Sequence, residues 1–447
     1  MTSLTTRAEQ SAARFLRAGI TLARGRLPTR RGPLAPVLKA LSTSASRVAA
    51  GLEGSERREL ETRLRAALEV DPGNDQTRHE LALTLAAQGR NEEAVDAWIR
   101  LAERGAQLER VTLTLHTRRL VRDIAGSQAN VRRMRRIAVS NPDSAQIQLG
   151  IGAFLVDHGY LEEGRVTVRR GYDLLLRDAL PSPRPLPSQP AESLQPSFLI
   201  LGPHKTATSS LYAMLVQHPR VIPAPRKELQ FWGTIEGRPP EAYDAYFPAL
   251  DRSAGFITGE ASPSYLPLQE AAADVAARFP ETKVIVMRRD PVARAFSHFQ
   301  MLNRLQFERR GFDEAIDLEI RRIGPTPPLR RDDVPDLHAP YLLGSCILPH
   351  LRMWVDAVGP ERVMVIDSAH FANDRQGTLD ALATYLGLEP APLRDETDRN
   401  VGQYSAISPD SEARLREWLA PHEAALDEFL ATHAARIPGP AEGRRLS

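Results

Sequence analysis

Phe198-Leu199-Ile200-Leu201 runs directly into Gly202-Pro203-His204-Lys205-Thr206-Ala207-Thr208-Ser209-Ser210, after which Leu211, Met214 and Leu215 recur at helical spacing. A short apolar run, a polar loop and an apolar-periodic stretch are the strand, turn and helix of a βα unit. The pattern returns at Val284-Ile285-Val286-Met287 and at Val363-Met364-Val365-Ile366. Strands alternating with helices predict an α/β fold, a parallel sheet flanked by helices, with ligands bound at the carboxyl ends of the strands.

The loop after the first strand carries anion-binding chemistry. A strand, a tight turn and a helix N-terminus present backbone N–H groups and the positive end of the helix dipole to an anion. Lys205 lies inside the loop, and Thr206, Thr208, Ser209 and Ser210 add hydroxyls. The chain has four lysines and 54 arginines, so a lysine here is a selected residue. The Walker A loop of nucleoside triphosphatases needs Gly-Lys-Ser or Gly-Lys-Thr after four intervening residues. Here Lys205 follows Gly202 by three positions with no glycine before it. An ordinary βα turn with a surface lysine is the competing reading of this segment alone.

A second candidate anion site follows the strand at 284–287. In Arg288-Arg289-Asp290-Pro291 the aspartate can cap a helix whose first position is proline. Arg289 then stands at the strand tip, and Ser297 shares a helix face with Arg294. Arginine plus a hydroxyl can hold a second phosphate by charge-assisted bonds. Arg288 and Arg294 read as partners of neighbouring carboxylates.

These segments together resemble the two binding signatures of sulfotransferases that use 3′-phosphoadenosine 5′-phosphosulfate. Lys227-Glu228-Leu229-Gln230-Phe231-Trp232 and Gly259-Glu260-Ala261-Ser262-Pro263-Ser264-Tyr265 fit as well, so the resemblance spans roughly 197–435. The branch it resembles is that of the heparan-sulfate and related bacterial enzymes. The resemblance implies that Lys205 contacts the sulfonate and the bridging oxygen of the donor. It implies that Thr206, Ala207, Thr208, Ser209 and Ser210 hold the 5′-phosphosulfate, that Arg289 and Ser297 bind the 3′-phosphate, and that Glu228 is the general base. No metal is expected. Glu260, at the end of an expected strand at 256–258, competes for the role of base or could instead orient Lys205 or bind the acceptor. His204 and His298 flank the two anion sites and rank below Glu228, and Trp232 reads as a core aromatic. Where heparan-type relatives carry Glu-Lys-Thr-Pro this chain has Glu260-Ala261-Ser262-Pro263, so the acceptor is not inherited from that branch. Arg394 or Arg399 is expected to close over the nucleotide, and the Pro-rich stretch 324–340 reads as an acceptor loop or lid.

Outward from this domain, residues 56–176 read as helical and self-similar at an offset of 70, with Pro72, Leu85, Gly89 and Glu93 matching Pro142, Leu155, Gly159 and Glu163. Twice the 34-residue tetratricopeptide period is close to 70, so the stretch resembles such an array with a degenerate unit near 105–140. Each clear unit is expected to start its first helix at the proline and to turn at the glycine. Six prolines between 181 and 196 mark a linker. The expected organisation is a basic arm (1–55), helical repeats (56–176), linker (177–196), catalytic domain (197–437) and tail (438–447).

Residues 1–50 carry a net charge of +8. Such an arm suits a solvated terminus, a transit peptide or peripheral contact with an anionic membrane. No apolar run approaches the roughly 18 residues of a membrane span. The single cysteine, Cys346, excludes an internal disulfide framework and a cysteine zinc site. It also favours a reducing, cytoplasmic location. The reading is therefore a sulfotransferase moving sulfonate from 3′-phosphoadenosine 5′-phosphosulfate to a hydroxyl or amine of a carbohydrate, lipid or other small molecule. The helical repeats offer a surface for a protein partner, and nucleic acid is not expected. The alternatives are a P-loop kinase or other phosphotransferase, and a non-catalytic nucleotide-binding scaffold.

Overall fold

The computed structural model describes residues 54–105, 108–117, 119–177, 194–233, 238–250, 255–304, 308, 310–329, 341–397, 406–433 and 435–436. The basic arm with Lys39, nearly all of the Pro-rich linker, residues 330–340, Arg399 and the tail lie outside them.

The chain opens with paired helices: α1 (Gly54–Val70), α2 (Asp75–Ala87) and α3 (Asn91–Glu103), then α4 (Leu108–Thr117), α5 (Arg119–Ala125) and α6 (Gln128–Ser140), then α7 (Ala145–Asp157) and α8 (Leu161–Leu176). The pair α2–α3 and the pair α7–α8 begin 70 residues apart. Gly89 and Gly159 turn each pair at φ +78° and +86°, a conformation glycine adopts without a Cβ penalty. Pro72 and Pro142 do not start the helices. They sit in the preceding turns, and Asn74 and Ser144 cap, accepting from Thr77 N–H and Ile147 N–H. The middle of the array holds three helices where a pair is expected.

A six-stranded, all-parallel sheet follows. Its elements are β1 (Phe198–Leu201), α9 (Thr208–Leu215), β2 (Val221–Pro223), α10 (Glu241–Asp244), β3 (Ile257–Glu260), α11 (Gln269–Arg278), β4 (Lys283–Arg288), α12 (Pro291–Arg304), α13 (Phe312–Ile323), α14 (Leu348–Val358), β5 (Val363–Asp367), α15 (Ser368–Asn373), α16 (Arg375–Tyr385), α17 (Pro409–His433) and β6 (Ala435–Arg436). The strand order is β2-β3-β1-β4-β5-β6. All four β1 residues are buried, as a central parallel strand requires. Alternate side chains feed the two faces: Leu199, Leu201, Val284 and Val286 join one core, Phe198, Ile200, Ile285 and Met287 the other. The chain builds outward from β1 to β2, returns through β3, then crosses to β4 on the other side of β1. In open parallel sheets the loops around such a reversal diverge at the carboxyl ends of the strands, the usual place for a ligand.

The helical array is not an appendage. Ala153 and Val156 of α7 belong to the same core as β1, and Tyr172 of α8 donates its hydroxyl to the carbonyls of Pro223 and Tyr246.

Candidate functional site

The donor loop leaves β1 at Gly202, φ +144°, where an added Cβ would come within 2.6 Å of the Met287 carbonyl of β4. Lys205 and Ala207, neither of them glycine, adopt φ of +79° and +67°. Each left-handed residue costs roughly 1–2 kcal/mol, and such strain persists where surrounding contacts over-determine it. Thr206 is buried and donates to the Pro203 carbonyl at 2.9 Å, folding the loop on itself. Ala207 precedes α9 without capping it by a side chain, so the first turn, Thr208, Ser209 and Ser210, presents its N–H groups at the start of the helix. Thr208 and Ser210 are buried, and Lys205 and Ser209 are half-buried.

From the second signature, Arg289 donates Nη1 to the Lys205 carbonyl at 3.0 Å, joining the tip of β4 to the donor loop. Asp290 caps α12, accepting from Ala293 N–H at 2.8 Å. Ser297 is buried one turn beyond Arg294. Arg288 pairs with Asp367 and Asp427 as expected. Arg294 does not follow the expectation of a carboxylate partner. Fully buried, it donates to Ser345 Oγ at 2.7 Å, to the His204 carbonyl at 3.3 Å and to the Tyr341 carbonyl, because the loop carbonyls need a donor there. Burial pushes its pKa down to about 10.

Glu228 stands opposite. Lys227 Nζ lies 2.6 Å from its Oε1 and the Gln230 amide donates to its Oε2 at 2.8 Å. Burial alone would raise this carboxyl, but the Lys227 ammonium, with His204 and Gln230, holds it below the ordinary carboxylate range. Burial pushes the His204 imidazole below its ordinary range, opposed by the Glu228 carboxylate and reinforced by Arg294, Lys227 and Lys205. Glu228 thus pairs with Lys227, the competing role for this carboxylate.

Glu260 takes a different role from either expected one. It is wholly buried at the end of β3, where Oε2 accepts from Leu229 N–H at 3.0 Å and Ser262 Oγ at 2.5 Å, and Oε1 from the Tyr265 and Tyr243 hydroxyls at 2.9 and 3.1 Å. Burial raises its pKa. With both oxygens engaged, it anchors the segment that carries Glu228. Trp232 is a core aromatic, packed on Tyr243 and Tyr265 and donating to Asp274. His204 and His298 lie 5.7 Å apart, ring to ring. Lys283 is no incidental charge: Nζ binds the Tyr385 carbonyl and lies over that ring, tying β4 to α16. Arg394 is exposed, its N–H held by Gln217. Cys346 is buried and its thiol is pushed up by burial.

The backbone around Glu228 is gripped by residues that sequence reading passed over. Arg226 is fully buried, with Nη1 and Nη2 on the two oxygens of Asp157 at 2.6 and 3.1 Å. The same guanidinium donates to the carbonyls of Glu228 and Leu229 at 3.1 and 2.8 Å. One signal was available: Asp157 breaks the 70-residue repeat, in which its counterpart is Ala87. Among the described residues no group of three or more His, Cys, Asp or Glu is placed to hold a metal ion, and no helix is long and apolar enough to cross a membrane.

Comparison with known proteins gives partial matches. No family model matches the chain. It is 28% identical over 211 residues to bifunctional heparan sulfate N-deacetylase/N-sulfotransferase 4 of Mus musculus, covering 44% of this chain and 22% of that protein. It is 27% identical over 206 residues to the human N-deacetylase/N-sulfotransferase 3, with the same coverage. The match therefore spans about a fifth of the length of these relatives. A sulfotransferase crystal structure from Alicyclobacillus acidocaldarius aligns with 53% of this chain and 96% of its own, at 27% identity and a TM-score of 0.41. Over part of its length the chain is thus similar to proteins named as sulfotransferases.

Proposed function

We propose that the chain transfers sulfonate from 3′-phosphoadenosine 5′-phosphosulfate to a hydroxyl or amine of a carbohydrate acceptor. One observation carries this reading: Arg289 at the tip of β4 donates to the carbonyl of Lys205 in the left-handed loop that leads into α9, so the two anion-binding signatures meet. The donor fits the residues present. The α9 N-terminus and the hydroxyls of Thr206, Thr208, Ser209 and Ser210 suit the 5′-phosphosulfate, and Arg289 with Ser297 suits the 3′-phosphate.

In the transfer the bond from sulfur to the 5′-phosphate oxygen breaks and its electron pair stays on that phosphate. A bond from the acceptor oxygen or nitrogen to sulfur forms, and the acceptor proton passes to Glu228. Lys205 is a compact point charge suited to the bridging oxygen, where negative charge grows, whereas arginine favours planar, bidentate partners. Glu228 is a carboxylate at neutral pH because Lys227 holds it there despite burial. The absence of a Gly-Lys-Ser step sets this loop apart from a magnesium-dependent phosphotransferase. Carbohydrate is favoured as the acceptor by the printed names of the relatives. The proposal includes a reducing compartment, on the grounds of one buried cysteine.

Thermal denaturation separates the readings. Adenosine 3′,5′-bisphosphate is expected to raise the melting temperature without metal, and Arg289→Ala to weaken that effect by about tenfold in apparent affinity. Stabilisation by ATP with magnesium but not by the bisphosphate would overturn the proposal.

A further inference from the structure

Asp157 is the last residue of α7, a place where the helix dipole disfavours negative charge, and its side chain has no solvent exposure. The corresponding residue of the first repeat is Ala87, so the turn between paired helices does not need an acid. An uncompensated carboxylate there would be costly. It is held as a carboxylate by a set of partners drawn almost wholly from the catalytic domain. Beyond the bidentate pair with Arg226, Arg238 donates to Oδ1 at 2.9 Å and the Tyr246 hydroxyl at 2.5 Å. Burial alone would raise this carboxyl, yet the Arg226 and Arg238 guanidiniums hold it far below the usual range, so it stays charged.

The cluster ends on the backbone of the base segment. Arg226 holds the carbonyls of Glu228 and Leu229, and His116 of α4, whose Nδ1 lies 3.4 Å from Asp157, turns Nε2 to the Gln230 carbonyl at 3.1 Å. Burial, with Arg226 and Arg238 and only partly opposed by Asp157, pushes His116 down to about 3, which leaves a neutral ring with its N–H at Nε2. Three consecutive carbonyls are thus gripped by two side chains that both meet Asp157. The N–H groups of Leu229, Gln230 and Phe231 are held from the opposite side by Glu260, Ser262 and Tyr265. Gln230, in the middle, is a non-glycine residue at φ +53°, a conformation that survives because both sides constrain it.

We propose that Asp157 of the helical array is a positioning residue for Glu228: through Arg226 it fixes the backbone that aims the base, so the array is part of the catalytic unit. This rests on the sulfonate-transfer reading above. Misplacing a reacting group by about 1 Å costs on the order of 10²-fold in rate. Asp157→Asn keeps the shape and removes the charge, and it is expected to lower kcat by about 10- to 100-fold. Acceptor KM and the affinity for adenosine 3′,5′-bisphosphate are expected to change little.

The test is a double-mutant cycle with Glu228→Gln, measured by radiolabelled sulfonate transfer alongside bisphosphate binding. If Asp157 acts through Glu228, adding Asp157→Asn to Glu228→Gln costs under about threefold. Full additivity of the two losses, or a fall in melting temperature with unchanged kcat, would overturn the proposal and leave Asp157 a structural tether. Should Asp157→Asn not fold, Arg226→Lys carries the test: it keeps a cation beside Asp157 but loses the grip on the two carbonyls, and wild-type kcat in that variant overturns the proposal equally. A wild-type protein that transfers normally while Asp157→Asn is silent refutes positioning alone. A wild-type protein that transfers nothing refutes the parent reading.

Discussion

The donor loop and the base segment both hold non-glycine residues in left-handed backbone, yet they are held in opposite ways. Lys205 and Ala207 are fixed by contacts within a few residues and by two arginines of the next signature. Gln230 is fixed by partners scattered along the chain, among them His116, 114 residues away, and Ser262, 32 away. A phosphate cradle can be written into one local stretch because its donors are backbone N–H groups. The segment of the proposed base has no such local solution: its backbone is held from β3 and from the helical array.

That contrast can be broken at its strongest point first. Lys205→Ala removes the point charge assigned to the leaving phosphate, and kcat for sulfonate transfer is expected to fall by about 10³-fold. A loss confined to KM would move Lys205 from the transition state to ground-state binding. Glu260→Ala attacks the other region: it strips the Leu229 N–H and three hydroxyls of their acceptor, and a loss of about 3 kcal/mol in unfolding free energy is expected in denaturant titration. Unchanged stability would mean that the base segment does not depend on β3.

Glu228→Gln is expected to cost about 10²-fold in kcat with bisphosphate binding intact. Its pH signature follows from the sign of the shift. The carboxyl is held below its ordinary range, so the base is present at and above that range and is lost as pH falls through its lowered value. The acid limb of kcat/KM is therefore expected below the ordinary carboxylate range for a hydroxyl acceptor. A limb centred near neutrality would point to a histidine instead. Glu260 has the opposite sign: burial raises it, so its contribution to stability declines as pH rises from the ordinary carboxylate range through its raised value. The smallest effect is expected at Asn74→Ala, which removes one helix cap of the array, about 1 kcal/mol of stability, with kcat unchanged.

The same division governs what the sequence made legible. β1, β4 and β5 were readable because each is a continuous apolar run bounded by polar residues, the mark of a strand buried on both faces. β2, three residues ending in a proline, carries no such run. Lys205, Arg289 and Glu228 stand in ordered motifs, and the fold brings Arg289 onto the Lys205 carbonyl. Arg294 was misread because its partners are carbonyls, which every residue has and no sequence pattern marks. Asp157 and Arg226, 69 residues apart, meet only once the helical array packs against the sheet. The one trace left in the sequence is an aspartate where the repeat has alanine.

The most direct test of the account is the transfer of radiolabelled sulfonate from 3′-phosphoadenosine 5′-phosphosulfate to hydroxyl- and amine-bearing oligosaccharides, wild type beside Lys205→Ala. The account predicts labelled product from the wild type without added metal, and about a thousandth of that rate from the variant. Equal product from both proteins, or none from the wild type while the bisphosphate binds, would contradict it.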